Sequence, residues 1–310
     1  MGAVGRDRPM LTFMVRETLF ARVGDLRIAY WRSGRVGAPV VVCVHGWPET
    51  KLIWDKVVDP LADAGYDVVV PDLRGFGESD LAPDGLYDIV SHSDDVAGLV
   101  FDVLGVASAT FVGGDLGGPV VQEIALRHPA RVEGLVVFNC PLPHDKEAMS
   151  HLRTRAPRET ADYYVRQGTD ADALAAELAD PGLRRAYVAR FYGDRNWAHP
   201  GAFTPEDVAV HVEPFDDAAR LRATFGNYES AFDPAKRRER PLFGPNEVHD
   251  VLVLFGVSDA VIYPDFDEMA KLVFARARPP VRLEECGHFV QWEKPGRFVD
   301  EVVGFLRRRG

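Results

Sequence analysis

Gly113-Gly114-Asp115-Leu116-Gly117-Gly118 is the stretch whose reading decides the fold. An apolar run, Ala109-Thr110-Phe111-Val112, leads into it, and a helical pattern from Pro119 to His128 leads out. A strand, a glycine-flanked turn and a helix make a nucleophile elbow. Crowded backbones exclude side chains on either side of the turn, and the central residue is raised above the end of a sheet. In ester hydrolysis that residue is Ser. Here it is Asp115, and a carboxylate at such a point attacks an electrophilic carbon and becomes an ester. Alkyl-transfer chemistry is expected ahead of Ser-type hydrolysis. Taken alone, the hexapeptide reads equally well as a turn with an acid near a helix N-terminus.

Three other segments bear on the choice. Val40-Val41-Val42-Cys43-Val44 is a continuous apolar run, the pattern of a parallel strand buried on both faces. It ends in His45-Gly46-Trp47-Pro48. A loop there can aim a backbone N–H at a developing oxyanion, and the residue after the nucleophile supplies a second donor. These donors would be the amides of Trp47 and Leu116. Val251 to Phe255 is a second apolar run, with Asp259 just past its end. Val281-Arg282-Leu283 leads to Gly287-His288. In doubly wound sheets, sites gather at the carboxyl ends of strands. A single Asp or His after a strand reads as a turn former. Asp115, Asp259 and His288 stand at three such ends in the order nucleophile, acid, His, and read together as a catalytic set.

The 310 residues, 46% hydrophobic and 27% charged, suffice for a large core with an inserted unit. A net charge of −11 disfavours nucleic acid, which calls for a basic stripe. Lys236-Arg237-Arg238 and Arg307-Arg308-Arg309 read as solvated segment ends. Cys43, Cys140 and Cys286 all sit in or beside strand-like runs, as reduced, buried thiols of a cytoplasmic protein would. No apolar stretch reaches the ~18 residues of a membrane span, so no membrane partner is expected. Without a clustered His/Cys set, neither metal nor organic cofactor is expected. Residues 1–16 read as a loose tail. Strand–helix alternation runs through 17–140 and resumes over 246–310. Residues 141–245 are helical and rich in aromatics, with Leu183, Tyr187 and Phe191 recurring at i, i+4, i+8. The fold expected is α/β, a mostly parallel doubly wound sheet with an inserted helical cap.

These motifs together resemble the α/β-hydrolase superfamily, and within it the epoxide hydrolase and haloalkane dehalogenase branch. The resemblance rests on His45-Gly46-Trp47-Pro48, Asp72-Leu73-Arg74-Gly75-Phe76-Gly77-Glu78-Ser79-Asp80, the Asp115 elbow, Asp259 and Gly287-His288-Phe289-Val290-Gln291-Trp292-Glu293-Lys294-Pro295. It covers roughly Thr18 to Leu306. It implies an Asp nucleophile, and two cap tyrosines that donate to an epoxide oxygen. Phe225-Gly226-Asn227-Tyr228-Glu229 resembles the segment carrying one, which makes Tyr228 the first candidate. Ala161-Asp162-Tyr163-Tyr164-Val165 resembles the segment carrying the other and leaves Tyr163 and Tyr164 open. His45, Pro48, Tyr163, Trp197 and Phe289 complete the expected substrate-binding set.

Haloalkane dehalogenases usually follow the nucleophile with a halide-binding Trp, and fluoroacetate dehalogenases with Arg-Gly-Gly-Arg. This chain has Leu116-Gly117-Gly118-Pro119. Hydrolysis of an apolar or aromatic epoxide, as a small-molecule substrate, to a vicinal diol is therefore expected. Haloalkane or haloacid dehalogenation by the same residues is the alternative, with Trp197 as a substitute halide donor. A non-catalytic ligand-binding protein is the alternative of another class. Oligomeric state is not readable.

Overall fold

The computed structural model describes residues 16–155, 162–193 and 197–308. Except for Arg16, the tail read at residues 1–16 lies outside them. The framework is one eight-stranded sheet, built from β1 (Leu19–Val23), β2 (Leu26–Ser33), β3 (Val40–Val44), β4 (Asp67–Pro71), β5 (Ala109–Gly114), β6 (Val132–Phe138), β7 (Val251–Gly256) and β8 (Val281–Leu283). Spatially the strands run β1-β2-β4-β3-β5-β6-β7-β8. The β1–β2 and β2–β4 pairs are antiparallel, and all pairs from β4 onward are parallel. Every residue of β3, β4, β5 and β7 is buried, as a sheet covered on both faces requires. The edge strand β1 alternates between half-buried and exposed positions.

Helices Asp55–Asp63, Ile89–Ala97, Gly117–Arg127 and Pro295–Arg307 flank the sheet. Trp54, Phe138 and Phe298 interlock in edge-to-face contacts at 5.5–6.0 Å. Helix Ile89–Ala97 starts where the Asp88 carboxylate accepts from the amides of Val90 and Ser91. It widens into a π-helix over Gly98–Val103. The Asp72-to-Asp80 stretch is scaffolding. Asp72 binds the buried Lys51 at 2.6 Å, and Arg74 grips Asp95 at 2.6 and 2.8 Å.

Sheet order changes direction at β3, with β4 on one side and β5 on the other. Such a switch opens a crevice at the carboxyl ends of the strands. Between β6 and β7 the chain forms helices Asp162–Thr169, Ala171–Glu177, Pro181–Tyr192, Pro205–Val212, Ala218–Thr224 and Gly226–Phe232. One expectation needs correction here. Leu183 is exposed, so the Leu183-Tyr187-Phe191 stripe is not a uniform packing face. Of that stripe Phe191 is buried, and the helix also buries Arg184, Val188 and Tyr192. The Arg184 guanidinium donates to the carbonyls of Leu178, Ala179 and Asp216, which satisfies its charge away from water.

Candidate active site

Asp115 follows β5 and sits at φ 43°, in the left-handed region that a non-glycine residue adopts only when its surroundings impose it. The imposition is steric. A Cβ on Gly113 would lie 2.4 Å from the Gly117 carbonyl oxygen, and one on Gly117 would lie 2.2 Å from that of Val44. The elbow helix, β5 and β3 therefore approach more closely than side chains allow. Asp115 Oδ1 accepts from the Trp47 amide at 2.7 Å. Leu116 stands at the N-terminus of helix Gly117–Arg127, where free amides and the helix dipole favour negative charge.

The second carboxylate oxygen, Oδ2, lies 3.2 Å from His288 Nε2. On the other edge of that ring, Nδ1 meets Asp259 Oδ2 at 2.7 Å. Asp259 is itself held, its Oδ1 accepting from the amides of Val261 at 2.6 Å and Ile262 at 3.2 Å. The imidazole is thus held by one carboxylate and aimed at another. Burial alone would lower the His288 pKa. The charges of Asp259 and Asp115, with their hydrogen bonds, override burial and raise it well above the ordinary histidine value.

Three polar residues that sequence reasoning gave no role complete this frame. Asn139, just past β6 and at φ 35°, donates through Nδ2 to Asp259 Oδ2 at 2.7 Å and to the carbonyls of Gly256 and Gly287. Its Oδ1 accepts from the Gly256 amide, so one side chain joins β6, β7 and the His288 loop. Glu293 accepts from the amides of Gly287, Phe289 and His199 at 2.7, 2.9 and 2.9 Å. Glu49 accepts from the Gly46 amide at 2.6 Å, behind the Trp47 loop. Burial, reinforced by the Asp115 charge, pushes the Glu49 pKa up to about 8. The available signals were weak: an Asn past a strand end, and single acids inside motifs already quoted for other residues.

A cavity of about 460 Å³ opens over Asp115 and Leu116 and is also lined by Tyr163, Tyr164, Tyr228 and Ile262. Tyr228 is buried, with its ring 5.6 Å from those of both Trp47 and Tyr163. Burial, then the Tyr163 hydroxyl and the Asp115 charge, raise its pKa well above the ordinary phenol value, and Tyr163 is within hydrogen-bonding range of it. Tyr163 is also buried and stacks on Trp47 at 5.7 Å. Tyr164 lines the cavity too, yet it is 38% exposed and packs against Phe232.

The remaining expected binding residues sit behind the cavity wall. His45 is buried, its Nδ1 against the Gly46 carbonyl at 2.8 Å and its Nε2 against the Leu73 amide at 3.0 Å. Those partners require a neutral ring that donates through Nδ1. The Pro48 carbonyl accepts from the Tyr192 hydroxyl. Phe289 stacks on Tyr192 at 5.0 Å. Trp197 sets its ring edge-on to His288 at 4.9 Å, and its carbonyl accepts from the His288 amide at 2.7 Å. The indole N–H of Trp47 donates to Thr224 Oγ1 at 3.0 Å.

A glycine-flanked Asp115 turn, a carboxylate–imidazole–carboxylate chain and a backbone amide on Asp115, on this sheet order, define a class of fold, and comparison with known proteins agrees. The model of the alpha/beta hydrolase fold family matches residues 39–295. The chain belongs to that family and is a hydrolase. Among curated relatives it is 29% identical to epoxide hydrolase A of Mycobacterium tuberculosis, over 91% of this chain and 94% of that protein. It is 27% identical to a haloalkane dehalogenase of Mycobacterium marinum, over 90% of this chain and 89% of that one. The solved structure of the epoxide hydrolase CorEH matches 94% of this chain and 99% of its own, with a TM-score of 0.78 at 22% identity.

Proposed function

We propose that this protein hydrolyses an epoxide to a vicinal diol through an alkyl ester on Asp115. The observation that carries the reading is the buried Tyr163–Tyr228 phenol pair, lining the same cavity as Asp115. In the first step Asp115 Oδ2 attacks a ring carbon and the C–O bond breaks. The departing oxygen takes a proton from Tyr228, with Tyr163 as its partner. In the second step His288 Nε2 takes a proton from water. The resulting hydroxide adds to the ester carbonyl, whose oxygen Oδ1 already rests on the Trp47 amide, with the Leu116 amide as second donor. Collapse breaks the Cγ–Oδ2 bond, and the leaving oxygen takes the proton held by His288. The new Asp115 carboxyl returns its proton through solvent to the Tyr228 phenolate, and the diol departs. Esterification removes the Asp115 charge that helps keep His288 protonated. Ring opening thus prepares the base that the next step needs.

The curated epoxide hydrolases support this reading. Halide release is less well served. The Trp47 indole is spent on Thr224, and neither Trp47 nor Trp197 is among the described residues lining the cavity. Division into a core of 17–140 and 246–310 and a cap of 141–245 belongs to the same proposal. Among the described residues no helix is long and apolar enough to cross a membrane. Three buried free cysteines favour a reducing, cytoplasmic setting. The deciding experiment offers His288→Gln an aryl epoxide, an alkyl halide and a simple ester, and follows intact mass. A stable adduct of epoxide mass on Asp115 is expected. Halide release by the wild type in excess of diol formation would overturn the assignment.

A further inference from the structure

Among its described lining residues, the cavity above Asp115 carries one cation. The charged residues among them are Asp88, Asp115 and Arg237. Asp88 is already engaged. Its Oδ1 accepts from the amides of Val90 and Ser91, and its Oδ2 from the Ser91 hydroxyl and the Arg238 amide. The last of these bonds fixes the backbone beside Arg237. The sequence pattern read the Lys236-Arg237-Arg238 cluster as a solvated segment end, which holds for its neighbours. Lys236 pairs with Glu229 at 3.7 Å, Arg238 with Asp94 at 2.8 Å, and Glu239 with Arg127 at 2.7 Å. Arg237 is different. It is half-buried in the cavity wall and has no ion pair or hydrogen bond among the described residues.

Arg237 also borders a neighbouring surface hollow of about 500 Å³, lined by Arg238, Glu239 and Arg240. Arg240 likewise has no ion pair among the described residues. In a chain of net charge −11 this is a local excess of positive charge beside the cavity. A half-buried arginine with no protein anion among the described residues leaves its guanidinium free to take a ligand partner. Its planar donors suit a carboxylate bound at two points. The surrounding field would raise the local concentration of such a ligand.

We propose that Arg237 is a specificity residue that binds an anionic group, a carboxylate, on the far part of an otherwise apolar substrate. The inference rests on the cavity over Asp115 being the substrate site, and it extends the epoxide reading to epoxides that also carry a carboxylate. The test is made to stand apart from turnover. Saturated alkanoic acids of graded length, and the corresponding primary amides, are titrated calorimetrically into the wild type, R237Q and R237K, with thermal midpoints recorded alongside. The acids should bind the wild type at least about tenfold more tightly than the amides, the scale of one charge-assisted hydrogen bond. That preference should vanish in R237Q and return in part in R237K, with the best chain length reporting the reach from Arg237 to the elbow. Equal affinity for acid and amide in the wild type, no saturable binding of either, or an unchanged preference in R237Q would each overturn it. Failure of the epoxide reading alone would leave the acid preference intact and show instead as absent diol formation.

Discussion

Tyr163 and Tyr164 are adjacent in sequence and differ in what surrounds them. Both rings stand edge-on to Tyr228, at 5.6 and 5.5 Å, but Tyr163 is buried and stacks on Trp47, whereas Tyr164 packs on Phe232 and is 38% exposed. A phenol that hydrogen-bonds with Tyr228 next to Asp115 can share the proton donated in ring opening. Tyr164 lines the same cavity but is partly exposed, which makes it the weaker candidate for that role. Tyr228→Phe and Tyr163→Phe should therefore each slow single-turnover ester formation, by ~10²–10⁴ for loss of a general acid. Tyr164→Phe should leave that rate close to wild type. Equal losses at Tyr163 and Tyr164 would return the pair to its undecided state. Asn139 makes a different prediction. Removing Nδ2 in Asn139→Ala takes one of the fixing bonds from Asp259, worth about 1.5–3 kcal/mol for a hydrogen bond to a charged group. Ester hydrolysis should slow by roughly tenfold to a hundredfold, and ester formation much less, in pre-steady-state traces. Asp115, Asp259 and His288 were legible because each follows a strand-like segment in a fixed order. Asn139 was not, since one polar residue after a strand has no pattern of its own until β6, β7 and the His288 loop converge on it.

The central strands were readable at the level of elements because β3, β5 and β7 are buried on both faces and so appear as unbroken apolar runs. The helices between β6 and β7 were readable as helices but not by face. Helix Pro181–Tyr192 hides Arg184 and exposes Leu183, since three backbone carbonyls offer the guanidinium what water would have. Glu293 shows how elements are joined at the site. It stands in the short helix Val290–Glu293 and reaches back to the amides flanking His288, and across to His199 in the inserted segment. Burial raises its pKa even though those three amide hydrogen bonds pull the other way. Glu293→Ala should strand three buried amides at about 1–3 kcal/mol each. A fall in thermal midpoint is expected, together with slower ester hydrolysis. Glu293→Gln, which keeps acceptor oxygen for at least one amide, should recover part of both. A stability loss with hydrolysis untouched would show that Glu293 supports the fold and does not position His288.

For the whole molecule, the buried site couples stability to pH. Glu49 and His288 both have folded-state pKa values above their ordinary ones. A group of this kind binds its proton more tightly in the folded chain than in the unfolded chain. Its contribution is complete below the unfolded value and is lost as pH rises through the folded value. For Glu49 that window runs from its ordinary 4.5 to about 8. Carboxylates held down by arginines, such as Asp59 beside Arg16, work in the opposite sense and lose their contribution on the acid side. The total curve mixes these signs, so the measurement must be a difference. Glu49→Gln keeps an acceptor for the Gly46 amide and removes the titration. Denaturant midpoints of wild type and Glu49→Gln, compared across that window, should diverge steadily, with the variant gaining relative stability as pH rises. Parallel curves would mean that Glu49 ionises as freely in the folded chain as in the unfolded one. The Trp47 loop would then rest on a charged carboxylate, adding a second negative charge behind Asp115 where an oxyanion must form, and the proposed stabilisation of that oxyanion would be correspondingly weaker.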